Sequence, residues 1–437
     1  MNRIWKIALV LLVMAMLLGG CAMKTVDELY APPKRSPEYQ DLQNAIDQAM
    51  TDLDYCAPLS GENQQTVQMA DLDGDGAAEY LLFAKGGQEK NLQILIFTRT
   101  EEGCRLRETL QCPGSGFELV EYVDIDGQPG MELVVGRRVS DQVVRSLSVY
   151  SFAEGTATQL MTANYHKFVT CDLDMNGLSE LLVITPGTSD EDHAAAMLFS
   201  YQAGEMVRSR EASLSESAEN IKRIMTGNLY GGIPAVYVAS SVEESAIITD
   251  IFALKNGHFT NVSFSNESGT SIQTMRNYYV YADDIDNDGI LELPSLMDLV
   301  RSVDTQHHLI RWYAMDIGGR EVDKMFTFHN FAGGWYLQLD EAWAPRVAMV
   351  QDGNAYIFSL WNEAFEETEK IMTVYILSGS DREKAAAEDG RFVLYRGAEV
   401  IYAAQLEDVA QNWGITQESV ADSFRMIYQD WKTGETE

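Results

Sequence analysis

The chain has 437 residues and a formal net charge of −34, from 32 Lys and Arg against 66 Asp and Glu. Its length is that of two or three domains, and a hydrophobic share of 46% is sufficient for a buried core. So negative a surface repels phosphate backbones and anionic headgroups, which excludes nucleic acid as a partner. It attracts cations.

Residues 1–20 are predicted to be a lipoprotein signal peptide. Two basic residues precede an unbroken apolar run from Ile7 to Leu18, which is shorter than the roughly 20 residues of a membrane-spanning helix. The Leu-Gly-Gly sequence before Cys21 resembles the bacterial lipobox. The resemblance implies lipidation of the Cys21 thiol and anchoring at the outer face of the cell membrane. An ordinary signal peptide or a short membrane anchor is the alternative.

Residues 21–37 are rich in proline and polar residues, and they predict an extended tether from the membrane. Residues 38–61 are predicted to hold a helix and a lead-in to the next domain. Ser36 is the expected cap and Pro37 the first helical residue, and apolar residues recur at three- and four-residue spacing from Leu42 to Leu53.

Four further cysteines could form two disulfides in three possible pairings. They are Cys56, Cys104, Cys112 and Cys171. The sequence leaves the pairing open, and Cys171 also fits a small buried residue at the end of an apolar run.

An acidic motif recurs between residues 62 and 330. Its four copies begin at Asp71, Asp124, Asp172 and Asp284. The first three lie about 50 residues apart, and the gap before the fourth equals about two such units. A degenerate copy is therefore predicted near residue 228, where the sequence from Asn228 to Val236 is glycine-rich and has no acids. The region holds five repeats.

Each repeat is expected to form four strands. In the first repeat they are Thr66–Ala70, Tyr80–Lys85, Leu92–Thr98 and Cys104–Gln111. Four strands per 40–50 residues are typical of propeller blades, which must stack around an axis to bury their faces. The sequence thus predicts a mainly β protein with a β-propeller of about five four-stranded blades over residues 62–330. A row of β-sandwiches would need about twice as many residues per repeat.

Residues 331–437 lack the motif and predict a small α+β domain of unknown role. Six strand candidates precede a helix from about Gln417 to Trp431, with Thr416 as its cap. The strand candidates are Trp335–Leu339, Arg346–Val350, Ala355–Trp361, Ile371–Leu377, Phe392–Tyr395 and Val400–Ala404.

The acidic motifs have the chemistry of calcium loops, because calcium takes six to eight oxygen ligands from carboxylates, carbonyls and water. Counting the first aspartate as position 1, acids stand at positions 1, 3 and 9 of every copy and at position 5 of the first and fourth, and the carbonyl of position 7 is the further ligand. The predicted ligands are Asp71, Asp73, Asp75, Ala77 and Glu79 in loop 1, Asp124, Asp126 and Glu132 in loop 2, Asp172, Asp174, Asn176, Leu178 and Glu180 in loop 3, and Asp284, Asp286, Asp288, Ile290 and Glu292 in loop 4. Gln128 and Pro129 at positions 5 and 6 argue against a complete calcium site in loop 2.

The loops are not EF-hands, since those carry an acid at position 12. A closing acid at position 9, followed by a strand, resembles the FG-GAP/VCBS-type repeats of integrin-like propellers. The resemblance covers residues 62–330 and implies blades whose calcium loops connect two strands. A metal held by loop oxygens alone is expected to be structural.

No motif for nucleophilic catalysis or phosphate binding is present, and the adjacent His307 and His308 would point to opposite faces of a strand. The chain is therefore predicted not to be an enzyme, and to bind or scaffold an unidentified envelope protein or glycan. The alternative is a carbohydrate-binding protein or carbohydrate-active enzyme that uses an acidic funnel or C-terminal tryptophans, for which core packing is the other interpretation. These are Trp335, Trp343, Trp361, Trp413 and Trp431.

Overall fold

The computed structural model describes residues 37–86, 91–139, 145–187, 193–243, 246–278, 280–300, 308–362, 366–388 and 390–427. The protein is mainly β, as predicted, and its described strands form six antiparallel sheets of four or five strands. Cys21, the tether up to residue 36, His307 and Trp431 lie outside the described residues. Within them, no helix has the length and apolar character that crossing a bilayer requires.

Sheet 1 follows the first helix. Helix α1 spans Pro37–Ala49, and its buried Leu42 and Ile46 pack on one face of the sheet, against Leu82 and Phe97. The strands of sheet 1 are β1 (Leu53–Tyr55), β2 (Val67–Ala70), β3 (Glu79–Gly86), β4 (Asn91–Thr100) and β5 (Gly103–Cys112). Strands β1 and β2 both pair with β3, which pairs with β4, and β4 pairs with β5.

Sheets 2, 3 and 4 each add their strands in chain order. Sheet 2 contains β6 (Gly116–Val123), β7 (Glu132–Arg138), β8 (Arg145–Ser151) and β9 (Thr158–Tyr165). Sheet 3 contains β10 (Lys167–Cys171), β11 (Glu180–Thr185), β12 (Ala195–Gln202), β13 (Glu205–Arg208) and β14 (Ala212–Ser213), which pairs with β12. Sheet 4 contains β15 (Ile221–Leu229), β16 (Ile233–Val242), β17 (Ala246–Lys255) and β18 (His258–Asn261).

Sheets 5 and 6 complete the described fold. Sheet 5, in spatial order, contains β19 (Leu293–Asp298), β20 (His308–Met315), β21 (Glu321–Asn330), β22 (Trp335–Leu339) and β28 (Phe424–Met426). Sheet 6 contains β23 (Val347–Asp352), β24 (Ala355–Asn362), β25 (Glu367–Ser378), β26 (Arg391–Arg396) and β27 (Val400–Leu406), with β27 between β25 and β26. The remaining helices are α2 (Arg382–Ala386) and α3 (Gln417–Ser423).

The sheets pack face to face in chain order, because their central strands bury both faces. Side chains alternate between the two faces of a strand. Leu181 and Val183 of β11 therefore face sheet 2, whereas Leu182 and Ile184 face sheet 4. Equivalent apolar clusters join sheet 1 to sheet 2, sheet 4 to sheet 5 and sheet 5 to sheet 6. Burial on both faces explains the continuous apolar runs in these strands.

The degenerate repeat is a short hairpin at the place predicted for it. Strand β15 ends at Leu229 and β16 begins at Ile233, so a three-residue connection replaces the acidic loop. Sheet 4 thus keeps the strand plan of its neighbours without a cluster of carboxylates at this corner.

The C-terminal region differs from the prediction at one element. The helix expected to reach Trp431 ends at Ser423, and Phe424 begins strand β28, which pairs with β22. Phe424 is buried and stacks on Trp335 with ring centroids 5.4 Å apart. Pairing with β22 satisfies the backbone hydrogen bonds of this segment, and the end of the helix at Ser423 lets Phe424 enter the core. The six predicted strands are all present, and β22, beyond the predicted boundary at residue 331, pairs with β21 in sheet 5.

Candidate functional site

The four acidic loops occupy equivalent positions, at the connection between the first two strands of a repeat. Loop 1 joins β2 to β3, loop 2 joins β6 to β7 and loop 3 joins β10 to β11. Loop 4 precedes β19, and the bridge between Asp283 and Glu292 closes it like a short strand pair. The repeat structure of the sequence therefore corresponds to a repeat of local geometry.

A left-handed backbone at position 4 is common to all four loops. The φ angles are +70° at Gly74, +72° at Gly127, +61° at Met175 and +61° at Asn287. Glycine adopts this conformation without steric cost, whereas methionine does so only under constraint from its surroundings. The turn is thus imposed by the loop as a whole.

The first aspartate of a loop accepts backbone hydrogen bonds that fold the turn. Asp71 Oδ1 accepts the N–H of Gly74 at 2.8 Å, and Asp71 Oδ2 accepts the N–H of Gly76 at 3.0 Å. At the other end, Glu79 Oε2 accepts the N–H of Leu72 at 3.0 Å, and Leu72 is buried. Loops 2, 3 and 4 have the same bond from position 2 to the closing glutamate.

These turns bring the carboxylates of positions 1, 3 and 9 together in every loop, with one oxygen of each within 4.8 Å of the others. The sets are Asp71, Asp73 and Glu79; Asp124, Asp126 and Glu132; Asp172, Asp174 and Glu180; and Asp284, Asp286 and Glu292. Loop 2 assembles its acids like the others, although its sequence argued against a complete site. Asp75 and Asp288 at position 5 are not members of these sets. Four acidic clusters can hold metal ions, and their hard oxygen donors are compatible with calcium.

The closing glutamates are the buried members of the clusters. Burial, with a smaller contribution from the carboxylates of Asp174 and Asp172, raises the pKa of Glu180 to about 7 against the lowering effect of the hydrogen bond from Leu173. Burial raises the pKa of Glu292 to about 8. Glu292 is fully buried, and its Oε1 has no hydrogen-bond partner among the described residues. The Lys324 ammonium lies 3.9 Å from that oxygen, and its positive charge partly offsets the cost of ionising Glu292.

Consecutive loops contact each other along one rim of the stack. The N–H of Met131 in loop 2 donates to the Asp71 carbonyl at 3.1 Å, and the N–H of Ser179 in loop 3 donates to the Asp124 carbonyl at 2.7 Å. The N–H of Leu291 in loop 4 donates to the Asn228 carbonyl at 3.0 Å. Asn228 thus stands where the other repeats have their first aspartate.

A cavity of about 1220 Å³ lies between the sheets. Its wall includes residues of the first strands of sheets 2, 3 and 4, namely β6, β10 and β15. Ser60 and Gly61, in the connection between β1 and β2, and Tyr336, Gln338 and Arg425 of sheet 5 also line the cavity. Among the acidic loops, loop 4 contributes to this wall. The volume exceeds the roughly 300–1,000 Å³ of common small-molecule pockets.

The cavity wall is balanced in charge, unlike the chain as a whole. Five basic and five acidic residues line it: Arg145, Lys167, Lys222, Arg223 and Arg425, and Glu118, Glu121, Asp283, Asp284 and Asp286. The chain has twice as many acids as bases. Basic residues are therefore concentrated here, and sequence analysis missed them because no motif marks them.

Several polar groups of the wall have defined environments. Arg145 Nη2 lies 3.7 Å from Glu118 Oε1, and Thr170 donates a hydrogen bond of 2.9 Å to Glu121 Oε2. Burial raises the pKa of Glu121, and it lowers the pKa of His166, which lies beside Arg145. The wall thus combines fixed carboxylates, guanidinium groups and an imidazole.

Two wall groups remain available for a ligand. Lys167 and Lys222 are exposed, and neither forms an ion pair in the described part of the chain. Two ammonium groups that share a cavity can donate to the oxygens of a bound molecule. The Tyr165 hydroxyl has no hydrogen-bond partner among the described residues, but it is buried beneath the wall surface.

The C-terminal tryptophans belong to the core, one of the two interpretations of their clustering. Trp335 and Trp343 are buried in the cluster between sheets 5 and 6, and Trp413 packs partly against it under Arg346. Trp361 is partly buried. None of these four presents an open aromatic platform, so the cavity is the better candidate for a ligand site.

The cysteines and histidines form no metal cluster in the described residues. Cys56, Cys104, Cys112 and Cys171 are free thiols, so neither of the possible disulfides is formed. The His308 ring contacts Asp298, with Nδ1 3.7 Å from a carboxylate oxygen.

The chain matches no family model and no curated protein. Solved structures similar to it include rhamnogalacturonan lyase YesW, with 13% identity and a TM-score of 0.33 over 73% of this chain and 55% of that one. The Bacillus licheniformis rhamnogalacturonan lyase PL11 has 10% identity and a TM-score of 0.30, and the match covers 74% of this chain and 81% of that one. Exotype rhamnogalacturonan lyase YesX has 13% identity and a TM-score of 0.27, and the match covers 74% of this chain and 63% of that one. The match thus spans just over half of the YesW chain.

The prediction that the chain is not an enzyme is contradicted by this comparison, because the similar structures are those of lyases. That prediction rested on missing nucleophile and phosphate-loop motifs, which exclude only those two chemistries. At TM-scores below 0.5 the superpositions assign no residue of this chain to an active site.

Proposed function

We propose that this chain is an exported lipoprotein whose central cavity binds a carbohydrate, and that its sheets form a calcium-stabilised propeller of FG-GAP/VCBS type. One observation carries the proposal: residues of four successive sheets, 2 to 5, line a single polar cavity of about 1220 Å³.

The propeller is supported by the order of packing. Successive sheets bury apolar faces against each other, and the first strands of sheets 2, 3 and 4 line the cavity. Blades of a propeller are arranged in this way around a central channel. Helix α1, which covers the free face of sheet 1, would fill the seam at which the ring begins.

Calcium is supported by the loop geometry. Each loop gathers three carboxylates whose mutual repulsion would be on the order of 4 kcal/mol per pair at about 4 Å and an effective dielectric of about 20. Ion binding removes this repulsion, and the ion bridges the start and end of the connection between two strands. Calcium is expected to raise the melting temperature of the protein and chelation to lower it. Identical melting curves in calcium and chelator would remove this part of the proposal.

A carbohydrate is supported by the mixture of donors and acceptors in the wall. Sugar hydroxyls both donate and accept hydrogen bonds, so a polyol is complementary to carboxylates and ammonium groups placed side by side. Glu121 lies on β6, Lys167 is the first residue of β10, and Lys222 is the second residue of β15. A simple cation would require an excess of acids, and a simple anion an excess of bases.

Binding to polysaccharides and glycan arrays tests the site, using the full chain in detergent micelles. The variants Lys167→Gln and Lys222→Gln remove wall charges, and Lys255→Gln removes an exposed charge on β17 as the matched control. We expect at least a tenfold loss of affinity in each wall variant and none in the control. Equal affinity in all three variants would refute the cavity as the site, and failure to bind any glycan would refute the ligand class. Depolymerisation of a bound glycan would make the cavity an active site.

The lipid anchor has a separate test. Cys21→Ala should abolish incorporation of labelled fatty acid and move the protein from the detergent-rich phase to the aqueous phase in phase partitioning. Continued lipid labelling of this variant would contradict lipidation at Cys21.

A further inference from the structure

Loop 1 contains a cation of the protein's own. Arg107, on the outer strand β5, extends back to the loop, and its Nη1 lies 2.6 Å from Asp73 Oδ2 and 3.3 Å from Glu79 Oε1. Its Nη2 donates to the Gly155 carbonyl at 2.7 Å in sheet 2. The guanidinium therefore contacts the oxygens of positions 3 and 9 that a metal ion would use.

Loop 4 has the same arrangement with a lysine. Lys324, on β21 of sheet 5, forms an ion pair with Asp288, and its Nζ lies 3.5 Å from Asp286 Oδ2 and 3.9 Å from Glu292 Oε1. The ammonium group lies among positions 3, 5 and 9. Arg107 and Lys324 come from different strands of different sheets, yet each places a charged nitrogen at the same point of its loop.

Loops 2 and 3 have no such cation. Within the described residues, no Lys or Arg forms an ion pair with their carboxylates. Asp126 Oδ2 accepts a neutral hydrogen bond of 3.2 Å from Ser151, and the Asn176 amide donates to Asp174 Oδ2 at 3.0 Å. Nothing positively charged contacts positions 3 and 9 in these two loops of the described structure.

The number of acids follows the same division. Loops 1 and 4 have a fourth carboxylate at position 5, Asp75 and Asp288, where loops 2 and 3 have Gln128 and Asn176. Each basic side chain offsets one added negative charge. Four acids with one base leave the same formal charge, −3, as three acids without a base.

A protein cation and a calcium ion exclude each other at this point. Calcium requires carboxylate oxygens at about 2.3–2.6 Å, and Arg107 Nη1 already lies 2.6 Å from one of those oxygens. A calcium ion bound to the same oxygen would lie in contact with the positively charged guanidinium. Either calcium or the basic side chain can therefore occupy this position, but not both.

We infer that the four loops form two classes, in which loops 2 and 3 bind calcium, whereas Arg107 and Lys324 close loops 1 and 4 as internal cations. The inference rests on the proposed calcium binding and divides it among the loops. It reverses the sequence-based order of the loops, because the two with the most complete acidic motif are the two that take no ion.

Equilibrium dialysis with radioactive calcium measures the stoichiometry directly, on the full chain in detergent after chelation. We expect two ions per wild-type chain, three in Arg107→Gln, three in Lys324→Gln and four in the double variant. Arg105→Gln on β5 and Lys255→Gln on β17, both exposed, are the matched controls and should keep two.

Acidic variants provide a second measurement that does not depend on the folding of the basic variants. Asp174→Asn and Asp126→Asn should each lower the stoichiometry from two to one, whereas Asp73→Asn and Asp286→Asn should leave it at two. Four ions in the wild type, or a loss in Asp73→Asn, would overturn the inference and leave calcium binding intact. No bound calcium in the wild type would overturn calcium binding itself.

Discussion

The buried glutamates give the calcium-free protein a particular dependence on pH. In chelator, the pKa of Glu180 is about 7 and that of Glu292 about 8, against an ordinary value of 4.5. A carboxyl group with a raised pKa binds more protons in the folded than in the unfolded state between the two values. Stability therefore falls as pH rises through this window.

Histidines act in the opposite direction at lower pH. Burial lowers the pKa of His329 from 6.5 to about 3, and it lowers that of His166. These side chains bind fewer protons in the folded state, so their contribution to stability increases with pH up to about 6.5. Above that value the unfolded-state histidines lose their remaining protons, so the opposing contribution of the two histidines fades and the carboxyl groups with raised pKa dominate the slope up to pH 8.

The expected loss is about 3 kcal/mol, since a proton bound in excess corresponds to about 1.4 kcal/mol per pH unit. Glu292 titrates through the 1.5 units between pH 6.5 and its pKa of about 8, which gives roughly 2 kcal/mol. Glu180 titrates through about half a unit and adds somewhat less than 1 kcal/mol.

Urea unfolding in chelator at pH 6.5, 7, 7.5 and 8 measures this loss. Glu292→Gln carries no ionisable group at the same position and should remove about two thirds of the slope. In the presence of calcium, the contribution of Glu180 to the loss of stability with pH should disappear, because the ion holds that carboxylate in its charged form. A stability that is constant or rises from pH 6.5 to 8 in chelator would refute the reasoning.

Three further substitutions, and one control at an exposed position, test the packing that supports the site. Leu182→Ala removes a fully buried side chain between sheets 3 and 4 and should lower the unfolding free energy by about 2–5 kcal/mol in denaturant titrations. The control Val350→Ala, at an exposed side chain, should lower it by well under 1 kcal/mol. Gly136→Ala should lower stability by about 1–3 kcal/mol, because its Cβ would lie 2.5 Å from the Tyr165 hydroxyl oxygen. An unchanged melting temperature would contradict this prediction and would mean that the Tyr165 ring moves aside freely. Asp250→Asn should cost more than about 2 kcal/mol, since an amide cannot accept the four hydrogen bonds that this buried carboxylate receives, and unchanged urea unfolding would contradict that role.

The repeats were readable from the sequence because each is specified locally. Acids at fixed spacing and a strand directly after the glutamate lie within about a dozen residues, and the structure forms the same corner at each copy. The degenerate copy could be located for the same reason, since strand pairing keeps the register even where Asn228 replaces the aspartate. The strands of the first repeat were likewise predictable, because they are short apolar stretches separated by glycine, asparagine and aspartate.

The features that sequence reasoning missed all depend on distant contacts. Phe424 lies at a helical spacing from Val420, but its stacking on Trp335 favours a strand where the pattern favoured a helix. Arg107 and Lys324 lie 28 and 32 residues from the closing glutamates of their loops. Only the return of an outer strand beside the loop brings them to the acids, and no local pattern encodes that return. The cavity residues are separated in the same way.

Loop 4 is the acidic loop that also lines the cavity, and this gives its lysine a consequence beyond the loop. A covalently attached cation is present at every calcium concentration, so the charge of the cavity wall near Asp284 and Asp286 does not vary with the ion. Loops 2 and 3, where calcium is proposed to bind, are not among the described residues that line the cavity. Stability can therefore depend on external calcium while the recognition surface keeps one charge state, which is the arrangement expected of a binding protein exposed to a variable medium.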